Sequence, residues 1–324
     1  MRRREFFALF GAAALWPAAA HAQSTGKVHR VGFLGPPVNT IPNEFRAFHE
    51  ELRQLGFAEG ANLTIDHRPF NDPRGPAAAA ADLNRANADV FVALGPEVTL
   101  QVLVGLGGTT PIVFIAVNYD PIERGYVANL ARPAGNVTGI VSRQTELAAK
   151  QMEILAQAIP GRAHMGILWD AISANQASVA EKAAKAMQLE VHSLKLENPP
   201  YDFDAAFQTL AAAGAQNVVV LSSPHFIPGR SSMAQAALRH RLPTMFIAPR
   251  YVRAGGLMSY GVDAQWLLRR VAVYVAKILN GTKPGDLPIE QPREYQFVVN
   301  QRTAKALGVT IPESLLARAD EVIE

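Results

Sequence analysis

The chain has 324 residues, 49% of them hydrophobic and 18% charged, with 31 basic against 28 acidic side chains, a formal charge of +3 and no cysteine. The missing thiols exclude a disulfide scaffold, thiol catalysis, a lipid-attachment cysteine and cysteine-ligated zinc. So small a net charge gives no basic footprint for nucleic acid or an anionic membrane surface, and a length beyond about 250–300 residues predicts more than one hydrophobic core.

The first residues, Met1-Arg2-Arg3-Arg4-Glu5-Phe6-Phe7, lead into an apolar run ending at Ala20 and then Ala20-His21-Ala22-Gln23. A basic start, an apolar stretch and a small-x-small site read as a secretory signal over residues 1–22, cleaved near Ala22. The apolar run is shorter than the about 20 residues that cross a bilayer, so a periplasmic protein without membrane insertion is expected. Arg3-Arg4-Glu5-Phe6-Phe7 also resembles a twin-arginine signal, although Arg2 and Ala8 stand where a polar residue and a lysine are usual; the twin-arginine and Sec routes both stay open. Removing residues 1–22 takes away three arginines and one glutamate, which leaves a formal charge of +1.

From Val28 onward short apolar runs alternate with amphipathic stretches, the pattern of a parallel sheet covered by helices on both faces. Strands are predicted at 28–34, 63–67, 90–94 and 112–117. The first intervening helix is marked by Phe45, Phe48, Leu52 and Leu55 at helical spacing, with Pro42 in its first turn and Gly56 at its end. Further helices are predicted from Pro76 to Ala86 and from Glu97 to Val104. After Pro133-Ala134-Gly135 a short strand at 136–140 leads to a long helix from Glu146 to Ala158, read as the first passage between lobes. A second series follows, with strands at 165–169, 191–196, 218–221 and 244–247 and helices at 175–187, 203–213 and 231–240.

The glycine-bounded strand Gly255-Gly256-Leu257-Met258-Ser259-Tyr260-Gly261 suits a hinge, because glycine tolerates large dihedral changes. A helix at 264–279, a turn-rich stretch, a strand at 295–299 and two short helices complete the chain. The expected fold class is α/β: two similar doubly wound parallel-sheet lobes joined by a three-crossing hinge. One lobe is expected from residues 28–138 with about 260–284, the other from 139–259 with about 285–324.

Three stretches carry a family resemblance. Asp286-Leu287-Pro288-Ile289-Glu290-Gln291-Pro292, followed by Asn300-Gln301-Arg302-Thr303-Ala304-Lys305-Ala306-Leu307-Gly308-Val309-Thr310-Ile311-Pro312 and Arg318-Ala319-Asp320-Glu321-Val322-Ile323, resembles the ending of the ABC transporter substrate-binding family that includes TrpX-like receptors. Asn129-Leu130-Ala131-Arg132-Pro133-Ala134-Gly135-Asn136-Val137-Thr138-Gly139 and Ala254-Gly255-Gly256-Leu257-Met258-Ser259-Tyr260-Gly261 are similar to the same family. The resemblance implies a type I periplasmic binding protein fold, a small-molecule ligand, an ABC permease with its ATPase as partner, and ligands that in some relatives are aromatic amino acids. No cofactor is implied, and a monomer is expected.

In open α/β sheets ligands bind beyond the carboxyl ends of the strands, so the loops there supply the candidates. Asn39 and Thr40 either donate to a ligand carboxylate or cap the following helix. Pro96 and Glu97 follow the third strand, and Asn118, Tyr119 and Asp120 the fourth. From the second lobe come Asp170, Asn175, Ser222, Ser223, Phe226 and Arg250. Tyr119 and Phe226 either stack on a planar ligand or pack at the lobe surface. Asp120 and Asp170 either anchor a ligand ammonium or cap helices. Arg250 is placed to pair bidentately with a carboxylate, or lies on the surface at a helix start. Ser259 borders the cleft through the inferred hinge, and Trp169 reads as core. These residues point to a small ligand bearing a carboxylate.

Enzyme readings find little support. The sequence contains no Walker loop, Gly-x-Gly-x-x-Gly, His-Glu-x-x-His or Gly-x-Ser-x-Gly. The histidines are scattered, with no spacing that marks a metal site. A sensor reporting to a membrane kinase needs the same cleft as a transport receptor and stays open as an alternative, as does an exported two-carboxylate enzyme.

Overall fold

The structure is a computed structural model and describes residues 27–293 and 295–324; the signal-peptide reading lies outside the described residues. The first strands and α-helices among the described residues are β1 (His29–Gly35), α1 (Pro42–Gln54), β2 (Leu63–Pro69), α2 (Pro76–Arg85), β3 (Val90–Leu94), α3 (Glu97–Val104), β4 (Ile112–Ala116) and β5 (Val137–Val141). Their strands form one parallel sheet of order β2-β1-β3-β4-β5. Both faces are buried, which explains why β4 reads Ile-Val-Phe-Ile-Ala without a polar residue. Val113 and Ile115 pack on one face with Phe48 and Leu52 of α1, while Ile112 and Phe114 pack on the other with Leu83 of α2 and Leu100 of α3.

The chain then continues through α4 (Gln144–Ala158), β6 (His164–Asp170), α5 (Ala174–Ala186), β7 (Glu190–Leu196), α6 (Phe203–Ala212), β8 (Asn217–Val220), α7 (Arg230–Arg239), β9 (Thr244–Phe246), α8 (Pro249–Arg253) and β10 (Met258–Val262). After these come α9 (Ala264–Leu279), β11 (Tyr295–Asn300), α10 (Gln301–Leu307), α11 (Glu313–Leu316) and β12 (Glu321–Ile323). The second sheet has the order β12-β11-β10-β9-β8-β6-β7. It is parallel except where β10 meets β11. Its two faces carry separate cores, one with Met152 and Leu155 of α4, the other with Phe207 of α6 and Met233 of α7.

The chain passes between the sheets three times. The first passage follows Val141, because Gly139, Ile140 and Val141 still pair with Phe114, Ile115 and Ala116; the sequence-based limit at 138 is too early. The second follows β10, after which Val271 and Val275 of α9 enter the core of the first lobe beside α1. The third follows Glu290, later than residue 285, because Leu287–Glu290 still lies along β5. There Thr138 Oγ1 donates to Leu287 O at 2.8 Å, Glu290 N to Gly139 O at 3.1 Å and Val141 N to Glu290 O at 2.9 Å.

Two glycines near these passages are required by contact. A Cβ on Gly139 would lie 2.1 Å from Phe114 O, and one on Gly261 would lie 1.9 Å from Ile247 O. The hinge reading of the whole 255–261 stretch is corrected: β10 lies inside the second sheet, bonded on both edges, and the passage comes only after it. Two further elements were not foreseen. Arg250 lies in the short helix α8, which is held by Tyr251 stacked on Phe246 with centroids 5.1 Å apart. The strand β12 pairs with β11 near the C-terminus.

Candidate functional site

The carboxyl ends of the two sheets face each other, so the loops after β1, β3, β4 and β5 meet those after β6, β8 and β9. Between them lies an inner cavity of about 120 Å³. Its walls are mainly apolar: Leu94, Ile115 and Val117 from the first lobe, Ile227 and Ile247 from the second, and Leu267 and Leu268 from α9. The polar lining is confined to a few groups, among them Glu44, Ser142, Gln144, Ser222, Ser223 and Arg250. An outer cleft of about 910 Å³ adjoins it through Pro36 and Pro224 and carries Phe70, Tyr201 and His225. A side opening of about 470 Å³ is lined by Pro96, Glu97, Asn118, Tyr119 and Asn175.

The lobes are joined by polar contacts across this space. The Asn118 amide donates to Ser222 O at 2.9 Å and to Ile172 O at 3.3 Å. Asn118 Oδ1 in turn accepts from Gln176 Nε2 at 2.6 Å, while Gln176 Oε1 accepts from Ser222 N at 3.0 Å. On another side of the cavity Arg250 Nη2 of α8 lies 2.9 Å from Glu44 Oε1 of α1. At the outer cleft Phe70 meets His225 edge to face, with centroids 6.1 Å apart. These contacts bridge the lobes in a closed arrangement.

Several expected ligand contacts turn out to be internal. Asp170 is fully buried and accepts from Ile172 N at 3.1 Å, Ser173 N at 3.2 Å, Ser173 Oγ at 3.1 Å, Tyr201 OH at 3.1 Å and Ser223 Oγ at 2.5 Å. With its acceptor sites occupied by these donors, the carboxylate holds three cleft loops together and has no free lone pair for a ligand ammonium. Burial, reinforced by the Asp170 charge, pushes the Tyr201 phenol above its ordinary range. Asp120 instead accepts from Ile122 N at 2.7 Å in its own exposed turn. Phe226 is wholly buried in the second lobe's core against Phe203, so it does not stack on a ligand. Ser259 is also wholly buried, in mid-sheet.

The remaining candidates divide between rim and lining. Asn39 is exposed, and Thr40 Oγ1 donates to Pro37 O at 2.6 Å. Neither caps α1, whose N-cap is Ile41 without a side-chain bond. The Glu97 carboxylate is held within its own lobe by Tyr126 OH at 3.0 Å and Arg124 Nε at 3.3 Å. Tyr119 packs edge-on against Tyr126, and burial raises its pKa. Arg250, Ser222 and Ser223 line the inner cavity, whereas Asn118 and Asn175 stand at the side opening.

Residues missed in the sequence complete the set. Glu44 points out of the first turn of α1, and Gln144 and Ser142 follow β5 at the first passage. Gln144 is buried and donates to Ser142 Oγ at 3.3 Å, while its Oε1 has no protein partner. A buried acceptor without a partner costs about 1–3 kcal/mol, so this carbonyl is the strongest polar signal in the cavity. Nothing in the local sequence marks it, since a glutamine at a helix start is ordinary.

Two α/β lobes, three passages between them and an interlobe site at the strands' carboxyl ends define the class of type I periplasmic binding folds. Residues 40–323 match the ABC transporter substrate binding protein family, and the chain belongs to that family. It is 23% identical over 274 residues to a tyrosine-binding protein of Clostridioides difficile (strain R20291), covering 82% of this chain and 76% of the relative. Among solved structures it is similar to a conserved domain protein from Vibrio cholerae, with 27% identity and a TM-score of 0.81 over 91% of this chain and 100% of the other. It is also similar to an ABC domain from Streptococcus pneumoniae in complex with L-Trp, with 23% identity and a TM-score of 0.80 over 91% and 99%. No helix among the described residues is long and apolar enough to cross a membrane.

Proposed function

We propose that this protein is an exported receptor that closes its two lobes on a small amino acid with an apolar, preferably aromatic, side chain and delivers it to an ABC importer. The observation that carries the reading is the chemistry of the inner cavity: apolar walls, one buried unpartnered acceptor on Gln144, and charges of both signs on Glu44 and Arg250. A zwitterionic amino acid needs both signs beside an apolar surface. Its carboxylate is assigned to Arg250, and its ammonium to Glu44 and Gln144 Oε1. The inner cavity of about 120 Å³ is smaller than the roughly 300 Å³ at which ligand pockets begin. The side chain therefore extends toward the outer cleft, where Phe70, Tyr201 and His225 offer aromatic contact. Relatives named for binding tyrosine and solved with L-Trp support this ligand class.

Closure is a population shift: a ligand touched by both lobes favours the closed form by its differential affinity, and the closed surface is what a permease would recognise. A thermal-shift screen of the purified protein against the amino acids and related carboxylates, amines and sugars tests the reading, because a ligand that binds only the native state raises its melting temperature. A concentration-dependent shift is expected with aromatic or large apolar amino acids and not with their decarboxylated amines. A shift with sugars or peptides alone would refute the assignment.

A further inference from the structure

We propose that the outer end of the second lobe holds a divalent transition-metal site built from His164, Glu190 and His192. The three side chains come together across two neighbouring strands. In the parallel register of β6 and β7, His164 stands beside Glu190 and Gly166 beside His192, so all three project from the same face of the sheet. Leu194 and Leu196, further along that face, pack against the core that includes Leu168 and α6.

The ligand atoms already have the spacing of a metal coordination edge. His164 Nδ1 lies 3.3 Å from His192 Nε2 and 3.4 Å from Glu190 Oε2, and all three ligand atoms lie within 4.8 Å of one another. For metal-ligand bonds of about 2.0–2.1 Å, tetrahedral geometry sets neighbouring donors about 3.3–3.4 Å apart. The imidazole planes are nearly parallel, 16° apart with centroids at 5.6 Å, and the two facing nitrogens, which share a hydrogen when no ion is bound, are the ones offered to a metal. Two imidazoles and one carboxylate suit zinc and its neighbours among the late first-row ions. The three-ligand set leaves a fourth position for water or an outside donor.

The surroundings keep the cluster accessible and anchored. The His164 and Glu190 side chains are 38% and 64% exposed, so an ion can enter from solvent. The His164 backbone N–H donates to Gln216 Oε1 at 3.2 Å, which fixes the start of β6. The site lies at the amino ends of the strands, the opposite end from the ligand cavity. The seven residues of β6 separate the two by about 20 Å at about 3.3 Å per residue. No spacing in the sequence revealed the cluster, because His164 and His192 meet only through the strand pairing. A bound ion would tie the edge strand β7 to β6 and stabilise this lobe by linkage, without ligand.

The test uses tag-free protein treated with a chelator, then titrated calorimetrically with zinc(II) and followed by thermal shift. Cobalt(II) serves as a visible-absorption probe of tetrahedral coordination. One equivalent of zinc is expected to bind and raise the melting temperature, and cobalt to give the intense band of a tetrahedral ion. His164→Ala, His192→Ala and Glu190→Gln should each weaken zinc at least about tenfold while keeping the wild-type circular dichroism and the same thermal response to amino acids. The proposal is overturned if no saturable one-equivalent binding occurs, or if the His192→Ala and Glu190→Gln proteins bind zinc as the wild type does.

Discussion

Removing Arg250 tests whether the lobes are held closed by the ion pair that spans them. Arg250 Nη2 and Glu44 Oε1 lie 2.9 Å apart, with side chains only 18% and 12% exposed, so solvent screens the pair less than a surface bridge. In an open form the two groups separate and each is hydrated. The substitution Arg250→Ala therefore leaves the Glu44 carboxylate desolvated in the closed form alone. A hydrogen bond to a charged group contributes about 1.5–3 kcal/mol. A loss of about 2 kcal/mol would lower the closed-to-open ratio about 30-fold, since 1.4 kcal/mol is a factor of ten.

The assay is a double-mutant cycle of Glu44→Gln, Arg250→Ala and the pair, read as calorimetric affinity for the amino acid giving the largest thermal shift. Small-angle scattering of each ligand-free protein accompanies it. The cycle is needed because both residues also line the cavity, so each single variant loses ligand contact as well as closure. The expected coupling is about 2 kcal/mol, from the hydrogen-bond range used above, with a larger radius of gyration for the single variants. A coupling below about 0.3 kcal/mol, the scatter expected of independent sites, together with unchanged scattering, would refute the reasoning.

Gln144→Leu should remove the cavity's unpartnered acceptor, leave stability unchanged or slightly higher, and weaken amino-acid binding about 10- to 100-fold, the cost of roughly one hydrogen bond to a charged group; calorimetry and thermal melting together check it. Gly139→Ala and Gly261→Ala should each destabilise by several kcal/mol, because the added carbon meets a backbone oxygen at 2.1 and 1.9 Å and the sheet must move to admit it; urea unfolding measures this. Stability should also fall with acidity. Burial lowers the pKa of His67 and of His49 in the folded protein, so the unfolded chain takes up protons first. That contribution is fully present above the unfolded value of about 6.5 and declines as pH falls below it toward the folded pKa. Melting temperatures between pH 7.5 and 5.5 should drop less in His67→Gln than in the wild type.

The alternating pattern of apolar runs and amphipathic stretches by itself determined the two-lobed α/β architecture. It works because a parallel sheet buried on both faces needs uninterrupted runs such as Ile112–Ala116, and its covering helices need a stripe such as Phe45, Phe48 and Leu52. The loops beyond the strands' carboxyl ends were also legible, since they follow from strand direction alone; that Ser222, Ser223 and Arg250 on those loops line one cavity came from the structure. What each side chain does there was not legible either. Asp170 and Asp120 looked alike as acidic residues at loop starts, yet one is buried beneath the cleft with five donors and the other closes an exposed turn. Phe226 stands between His225 and Ile227, which both line the cleft, but points into the core, and Gln144 reaches the cavity from a helix start that no motif marks. Tertiary structure decided these outcomes because hydrogen-bond satisfaction, the facing of two lobes and the pairing of β6 with β7 depend on residues tens of positions apart, which local pattern cannot bring together.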